Sequence, residues 1–551
     1  MHRLLFAALL VPAFVFGQRP ADGLLDTPAL QVLVEAQTQR DTEPLVRALA
    51  NPDAAVRARA AFALGSVQDS MAVPALLNAT LDVDPNVRAD AAFALGQTPA
   101  GELVREVSNA LYRLCLPGPA PDGAVDEPVC REALHALGKQ GDFLALADLL
   151  TLDLPPALEP DGLLAIGRFG IRDVHHAQAV RRVAASLVDV RPEVREQAAY
   201  YFGRSASQEA WEPVQPAVRA ALAAYPLDEP AAAHLLRGLG QLGLEQDAPL
   251  LARWLDQGST WHLRVNAARA LQPIAHMPEA WPALIDALTD PHPHPSVAAA
   301  EALAGADSLP PPALDALEAL PPQPWRVEDH ILTALAVAGR DARVLTSFDK
   351  LRPINTYEAT VGYRALSYID DPLALEWLAA GVEDPRRRVA YTALNALAER
   401  WEDDRFDPRL RQRYYRIFLK GLEREGMAVP YTAVGLLADS VLAPLGSLER
   451  LAEAYDTWSV PDQADAMART VDVLAATGEM RYFPLAQSAA TSSDPILRGA
   501  GRQAMQTLGE DPGPEPAAEV PEIDWDYLRS LGPSPTMEFN TGRGSFVAVL
   551  D

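Results

Sequence analysis

One phrase returns along this chain, and few folds accommodate it. Asp53-Ala-Ala-Val-Arg-Ala-Arg-Ala-Ala-Phe-Ala-Leu-Gly65 comes back as Asp84-Pro-Asn-Val-Arg-Ala-Asp-Ala-Ala-Phe-Ala-Leu-Gly96, with Val56 and Val87 31 residues apart. The shared frame is a branched apolar residue at position 0, usually Arg at +1, Ala at +4, Ala near +7, Leu at +8, and Gly or Ala at +9. It recurs at Val129–Gly138, Val194–Gly203, Ala231–Gly240, Leu263–Gln272, Val389–Ala398, Val429–Ala438 and Leu497–Met505. Looser copies lie at Asp161–Gly170, Val297–Gly305, Val327–Ala336 and Gln463–Gly478, giving twelve or thirteen units of roughly 30 to 45 residues. Self-similarity at such a period marks a stacked array rather than the three or four independent domains that 551 residues suggest by length alone.

The physics of one unit is legible. Asp is a good helix N-cap, and Pro in the first turn loses no intrahelical hydrogen bond. Positions 0, +4, +7 and +8 share one helical face, and small Ala there lets a neighbouring helix come close. Gly at +9 suits a left-handed cap at the helix end. A second amphipathic stretch follows, such as Ala72-Val-Pro-Ala-Leu-Leu-Asn-Ala-Thr-Leu81 or Asp247-Ala-Pro-Leu-Leu-Ala-Arg-Trp-Leu255. Neither helix hides its apolar stripe alone, so the units must stack. The expected fold is all-α: a solenoid superhelix of about twelve helix pairs over residues 18–509, ending in a short C-terminal β-hairpin. The Ala and Leu bias and the 7% aromatic content agree with helices.

This frame, together with the Pro-x-Leu-Leu stretches, resembles the HEAT repeats, especially their bacterial, phycobilin-lyase-like variety, over residues 28–509. The resemblance is closest in the first two copies and at Asp384–Ala398. It implies that the motif positions are structural. In particular, Arg57, Arg88, Arg195, Arg264 and Arg498 would each reach an acidic residue of a neighbouring turn, forming a ladder along the stack. An α-solenoid builds an extended concave face, so protein partners are the expected ligands.

Charge and the chain's start narrow the setting. With 47 Lys+Arg against 74 Asp+Glu the formal charge is −27, which argues against nucleic acid as a partner. Residues 1–17 read as a signal peptide: His2 and Arg3, an apolar run from Leu4 to Phe16, and small Gly17 before the cut. No later run of 18 apolar residues follows, so no integral membrane segment is expected after cleavage. The expected location is exported, periplasmic or extracellular. The only two cysteines, Cys115 and Cys130, bracket the Pro/Gly loop 116–124, and in an exported chain they suggest a disulfide.

Motifs that could carry chemistry reduce to structure. Gly238-Leu-Gly-Gln-Leu-Gly243 matches a dinucleotide fingerprint as a string, but its glycines end a helical frame instead of following a strand. Ser347-Phe-Asp-Lys350 lacks the companion motifs of its class. Asp290-Pro-His-Pro-His-Pro-Ser296 makes His292 and His294 weak metal candidates: the prolines would hold the segment extended with both imidazoles on one side, yet nothing completes a four-ligand set. His175-His176 has fewer partners still. No catalytic residue, no cofactor site and no metal site is assigned.

After Gly509 the composition changes. Residues 510–535 read as a Pro/acidic linker with a short helix carrying Trp525 and Leu528. Residues 536–551 read as a hairpin, with Met537 and Phe539 before the turn Thr541–Gly544 and Phe546, Ala548 and Leu550 after it. Thr541, Gly544, Phe546, Ala548 and Leu550 resemble the opening strands of a cyclophilin-type peptidyl-prolyl isomerase. That resemblance implies a domain whose active site lies outside this chain, so no catalytic residue is carried over. The leading expectation is an exported HEAT-like scaffold for protein partners. The alternative is the recruiting region of such an isomerase.

Overall fold

The computed structural model describes residues 27–117, 124–205, 207–224, 228–257, 260–350, 355–402, 407–514, 522–531, 536–542 and 544–549. Residues 1–26, with the segment 1–17 read as a signal peptide, most of the loop 116–124, linker residues 515–521 and 532–535, and Leu550 lie outside them. The chain divides into two compact units, residues 1–221 with 518–551, and residues 222–517.

Each sequence copy becomes one helix, here called a frame helix. In the first unit these are Ala54–Val67, Pro85–Gln97, Glu127–Gln140, Glu159–Ile171 and Pro192–Arg204. They start where the capping chemistry says: the Asp53 carboxylate accepts the Ala55 N–H at 2.9 Å, and Asp84 accepts that of Asn86 at 2.8 Å. Val56, Ala60, Ala63 and Leu64 are buried, as are Val87, Ala91, Ala94 and Leu95. Consecutive frame helices pack side by side, and the Phe62 and Phe93 rings stack at 5.3 Å. Flanking helices such as Val73–Ala79 and Val104–Leu114 form the second layer. The same unit holds the helix Trp525–Ser530, whose Trp525 indole N–H donates to Glu35 at 2.8 Å. It also holds the antiparallel hairpin Thr536–Thr541 with Gly544–Val549. Met537 faces Ala548, and Phe539 stacks on Phe546 at 4.7 Å, yet Phe546 and Val549 remain more than half exposed.

The second unit repeats the pattern. Its frame helices are Glu229–Leu242, Trp261–Leu271, Pro293–Ala304, Trp325–Val337, Tyr363–Leu366, Arg387–Glu402, Ala428–Leu437, Ala464–Ala476 and Pro495–Thr507. Among the described residues the two units therefore carry five and nine frame helices. The one absent from the sequence reading is Tyr363–Leu366, a single turn too short to show a period.

Three local expectations change. Gly65 and Gly96 are not left-handed caps, because both lie inside helices. Their role is close approach: a Cβ on Gly65 would lie 3.1 Å from Ala94 Cα, and one on Gly96 would lie 2.8 Å from Ala136 Cα. Gly240 meets Ala270 at 2.5 Å in the same way, so glycine at +9 receives the backbone at +7 of the next helix. The left-handed residue that closes the first frame helix is Gln68, at φ 61°. The segment after Asp290 is not extended either: Pro293 opens a helix with His292 as its N-cap. At the copy Asp384–Ala398 the helix starts only at Arg387, since Asp384 accepts the Arg386 N–H at 2.8 Å and makes a turn of its own.

Candidate functional site

Guanidinium groups at several of the inter-helix turns tie neighbouring helices together. The C-terminal carbonyls of a helix have no intrahelical partner, and a cation there also meets the negative end of the helix dipole. Arg57 Nη1 donates to Asn51 O at 2.9 Å and Pro52 O at 3.1 Å, while its Nε and Nη2 take both Asp82 oxygens at 2.7 and 2.8 Å. Arg88 repeats this with Asp82 O, Val83 O and the Asp126 carboxylate at 2.9 Å. Arg264 binds both oxygens of Asp290 at 2.6 and 3.0 Å. Arg195 donates to Asp189 O at 2.6 Å, and Arg498 donates to Ser492 O and Ser493 O at 2.9 and 3.2 Å. The Arg57 hydrogen bonds hold the Asp82 carboxyl below its ordinary range. Burial pushes the Asp290 carboxyl up, but Arg264 and the His292 N–H outweigh it, so it too is lowered.

The other singled-out residues have structural partners. Cys115 and Cys130 are joined as a disulfide in the first unit. His292 Nδ1 accepts the His294 N–H at 3.3 Å, which occupies that lone pair, and Asp290 is taken by Arg264. No group of three or more His, Cys, Asp or Glu side chains placed to hold a metal occurs among the described residues. Gly238 and Gly240 are buried within a helix, and Gly243 is its left-handed cap at φ 60°. His176 caps a helix by accepting the Gln178 N–H. His175 joins a set that sequence spacing did not show: Nε2 meets Asp173 at 2.9 Å and Nδ1 meets the Tyr201 hydroxyl at 2.8 Å. Tyr201 is only 1% exposed, and burial pushes its hydroxyl up to about 12, so the set braces the fold and offers no reachable nucleophile.

What sequence reasoning missed is a group of rings and guanidinium groups on the frame helices of the second unit and the turns beside them. Trp261, first residue of its helix, stacks on His292 at 4.6 Å and 9° and lies 4.8 Å from His294. Trp261, Val265, Arg269, His294, Glu301 and Arg326 line a groove of about 300 Å³. Arg326 lies over the Trp325 ring at 5.1 Å, Trp325 meets Tyr357 at 5.8 Å, and Arg388 lies over Tyr357 at 4.6 Å. Further along, Tyr391 and Tyr431 are 36% and 43% exposed, and Arg469 covers Tyr431 at 4.4 Å. The aromatics recur too irregularly for a periodicity argument. Their usable signal was position, since Trp261 and Trp325 each stand at a helix start.

A larger groove of about 520 Å³ lies on the flanking layer, lined by Arg409, Arg413, Arg416, Lys420 and Glu383. Its cations are mostly answered by its own surface: Asp407 holds Arg409, Glu376 lies 3.7 Å from Arg413, and Glu423 lies 2.8 Å from Lys420.

Comparison with known proteins agrees with the architecture. The family described as HEAT repeats matches residues 42–119. No curated protein matches the chain. Solved structures of similar architecture include importin beta, at 13% identity over 88% of this chain and 69% of that one, with a TM-score of 0.41. A Kap95:Nup1 complex matches at 12% identity over 92% and 73%, with a TM-score of 0.46. The karyopherin Kap121p bound to the SUMO protease Ulp1p matches at 13% identity over 88% of this chain and only 61% of its own length, with a TM-score of 0.44. Identities and scores this low say nothing of what this chain binds. The chain is an all-α, HEAT-like solenoid.

Proposed function

We propose that this chain is an exported, non-catalytic scaffold that docks protein partners on the exposed side of its frame-helix layer. The observation that carries the reading is the contrast between pinned turns and free rings. Helix contacts are fixed by glycines and turns by guanidinium bonds, while Tyr357, in the turn before the helix Tyr363–Leu366, and Tyr391 and Tyr431, on neighbouring frame helices, stay 52%, 36% and 43% exposed. Rigid repeats that present aromatic side chains at low entropic cost suit partner docking. Export is supported by the composition of residues 1–17 and by the paired Cys115 and Cys130.

The test is recovery of a partner from the exported fraction by crosslinking and gel filtration. We expect a stoichiometric complex with the full chain, lost in the double variant Tyr391→Ala/Tyr431→Ala, which keeps its helicity. A complex unaffected by those changes would move the docking face elsewhere.

The exposed hairpin favours a second reading, in which the chain recruits substrates for a cyclophilin-like isomerase. Two strands with Phe546, Val547 and Val549 more than half exposed do not bury their own apolar surface. A proline-isomerisation assay on this chain separates the readings: the scaffold predicts no activity, and measurable turnover overturns it.

A further inference from the structure

The protein carries a net charge of −27, and most of its arginines meet a carboxylate or a row of carbonyls. Arg326 and Arg388 differ. Among the described residues neither has an ion-pair partner; each is exposed and lies over an aromatic ring, Arg326 over Trp325 at 5.1 Å and Arg388 over Tyr357 at 4.6 Å. What sets these two apart is their place: both border the rings of one stretch of the frame-helix layer. Each stands on a frame helix, Trp325–Val337 and Arg387–Glu402, with the one-turn helix Tyr363–Leu366 between them.

Between and beside them run the rings. Ring contacts join Trp261 to His292 and His294 and Trp325 to Tyr357, and the two guanidinium groups lie over Trp325 and Tyr357. The groove that holds Trp261 and His294 also holds Arg326, which ties the first group of rings to the second. Aromatic-lined grooves take polyproline II segments, whose three-residue turn costs little entropy to fix. The periods also agree: packed helices lie about 8–10 Å apart, and three residues of polyproline II at about 3.1 Å each span about 9 Å. Each turn of such a peptide would advance by one repeat, and a carboxylate on every third residue would face the same edge as Arg326 and Arg388.

We propose that the stripe Trp261–Trp325–Tyr357, with Arg326 and Arg388, docks an extended, proline-rich, acidic segment of a protein partner. Prolines lie on the rings and carboxylates pair with the two guanidinium groups. This rests on the scaffold reading above and assigns it a ligand chemistry. Single-stranded nucleic acid could also stack on rings, but Glu301 in the groove and the overall negative charge disfavour a phosphate on every residue.

The experiment uses the full chain and a labelled twelve-residue peptide of Glu-Pro-Pro repeats, read by fluorescence anisotropy. Binding should fall more than tenfold with Gln-Pro-Pro or Glu-Ala-Ala repeats, and more than tenfold in the Arg326→Glu/Arg388→Glu double variant. That variant should gain affinity for Lys-Pro-Pro repeats, a reversal that misfolding cannot mimic. Equal binding of Glu-Pro-Pro repeats by wild type and variant, or tighter binding of oligo-dT than of the peptide, overturns the proposal. If the charge-reversed variant loses the peptide yet still forms the Tyr391- and Tyr431-dependent complex, the stripe is a separate docking strip. If the full chain recovers no protein partner while Glu-Pro-Pro repeats still bind in an Arg326- and Arg388-dependent way, the scaffold reading falls while peptide binding stands.

Discussion

Residues 54–97 and 325–366 perform the same structural task with different residues. In the first stretch two near-identical helices meet through Gly65, and Arg57 at +1 collects the turn carbonyls and the Asp82 carboxylate. In the second stretch position +9 is Ala336, the next frame helix is one turn long, and no arginine stands at +1. The clamp comes instead from a flanking helix: Arg343 donates to Leu317 O, to Glu318 O and Leu320 O at 3.0 Å each, and to the Glu328 carboxylate at 3.0 Å. The carboxylates are exchanged as well. Asp82 sits in a turn, whereas Asp329 lies within a frame helix and accepts the Gly362 N–H at 2.7 Å, where Gly362 has φ 83°. In both stretches a guanidinium takes the orphan carbonyls, and the helix that supplies it differs.

The sharpest way to break the first stretch is at its glycine contact. Gly96→Val places a branched side chain where a Cβ already falls 2.8 Å from Ala136 Cα. Overpacking of this kind costs about 3 kcal/mol. Because repeat arrays open locally, the readout is native-state hydrogen exchange of the helices Pro85–Gln97 and Glu127–Gln140. Unchanged protection there would remove close approach as the reason for glycine.

Asp82→Ala comes next. It removes two charged hydrogen bonds to Arg57 and the bond from the Asp84 N–H, a loss of about 2 kcal/mol. Acid sharpens the contrast between the two aspartates. The Asp82 carboxyl is lowered, so its contribution is complete above the unfolded value of about 3.9 and disappears as pH falls through the lower folded value. Asp329 is pushed up by burial, against the Gly362 hydrogen bond and the charges of His330 and Arg364. Its charged form costs stability at neutral pH, and that cost is relieved as pH falls through the raised value. Exchange protection corrected for intrinsic rates should therefore rise at Trp325–Val337 as pH falls from neutral, and Asp329→Asn should abolish the rise. The turn at Asp82 should loosen only below about pH 3.9.

Reading the frame reached the fold because burial and small-residue packing impose a period, and a period survives in one sequence. It reached Arg57, Arg88 and Arg264 for the same reason. It could not reach Arg343, Arg400 or Arg424, which donate to carbonyls of turns 23 to 41 residues away from no fixed frame position. Glycine at +9 was read as a cap because cap and contact glycines look alike in sequence; only the neighbouring backbone tells them apart. The Trp261–Arg388 stripe was invisible because each repeat contributes a different ring from a different position, and only stacking aligns them. Next in size is Ala336→Gly, which tests how far the two stretches are interchangeable: with Ala already tolerated at +9 there, glycine brings only its helix penalty of about 1 kcal/mol.

The smallest effect has the opposite sign, and it isolates what glycine does in a frame helix. Gly499 lies inside the helix Pro495–Thr507, where a Cβ would meet nothing within 4 Å. Two residues later a Cβ on Gly501 would fall 2.1 Å from the Ala490 backbone nitrogen. One helix thus carries both kinds of glycine. Gly499→Ala should stabilise by about 0.5–1 kcal/mol, because alanine loses less backbone entropy and adds no clash. Gly501→Ala should destabilise despite the same gain in propensity, because the preceding flanking helix Phe483–Ala490 would have to move. Hydrogen exchange of residues 495–507 reads both. Equal signs for the two substitutions would mean that helix propensity, not backbone approach, governs glycine in this array, and the difference drawn between Gly65 and Ala336 would lose its physical basis.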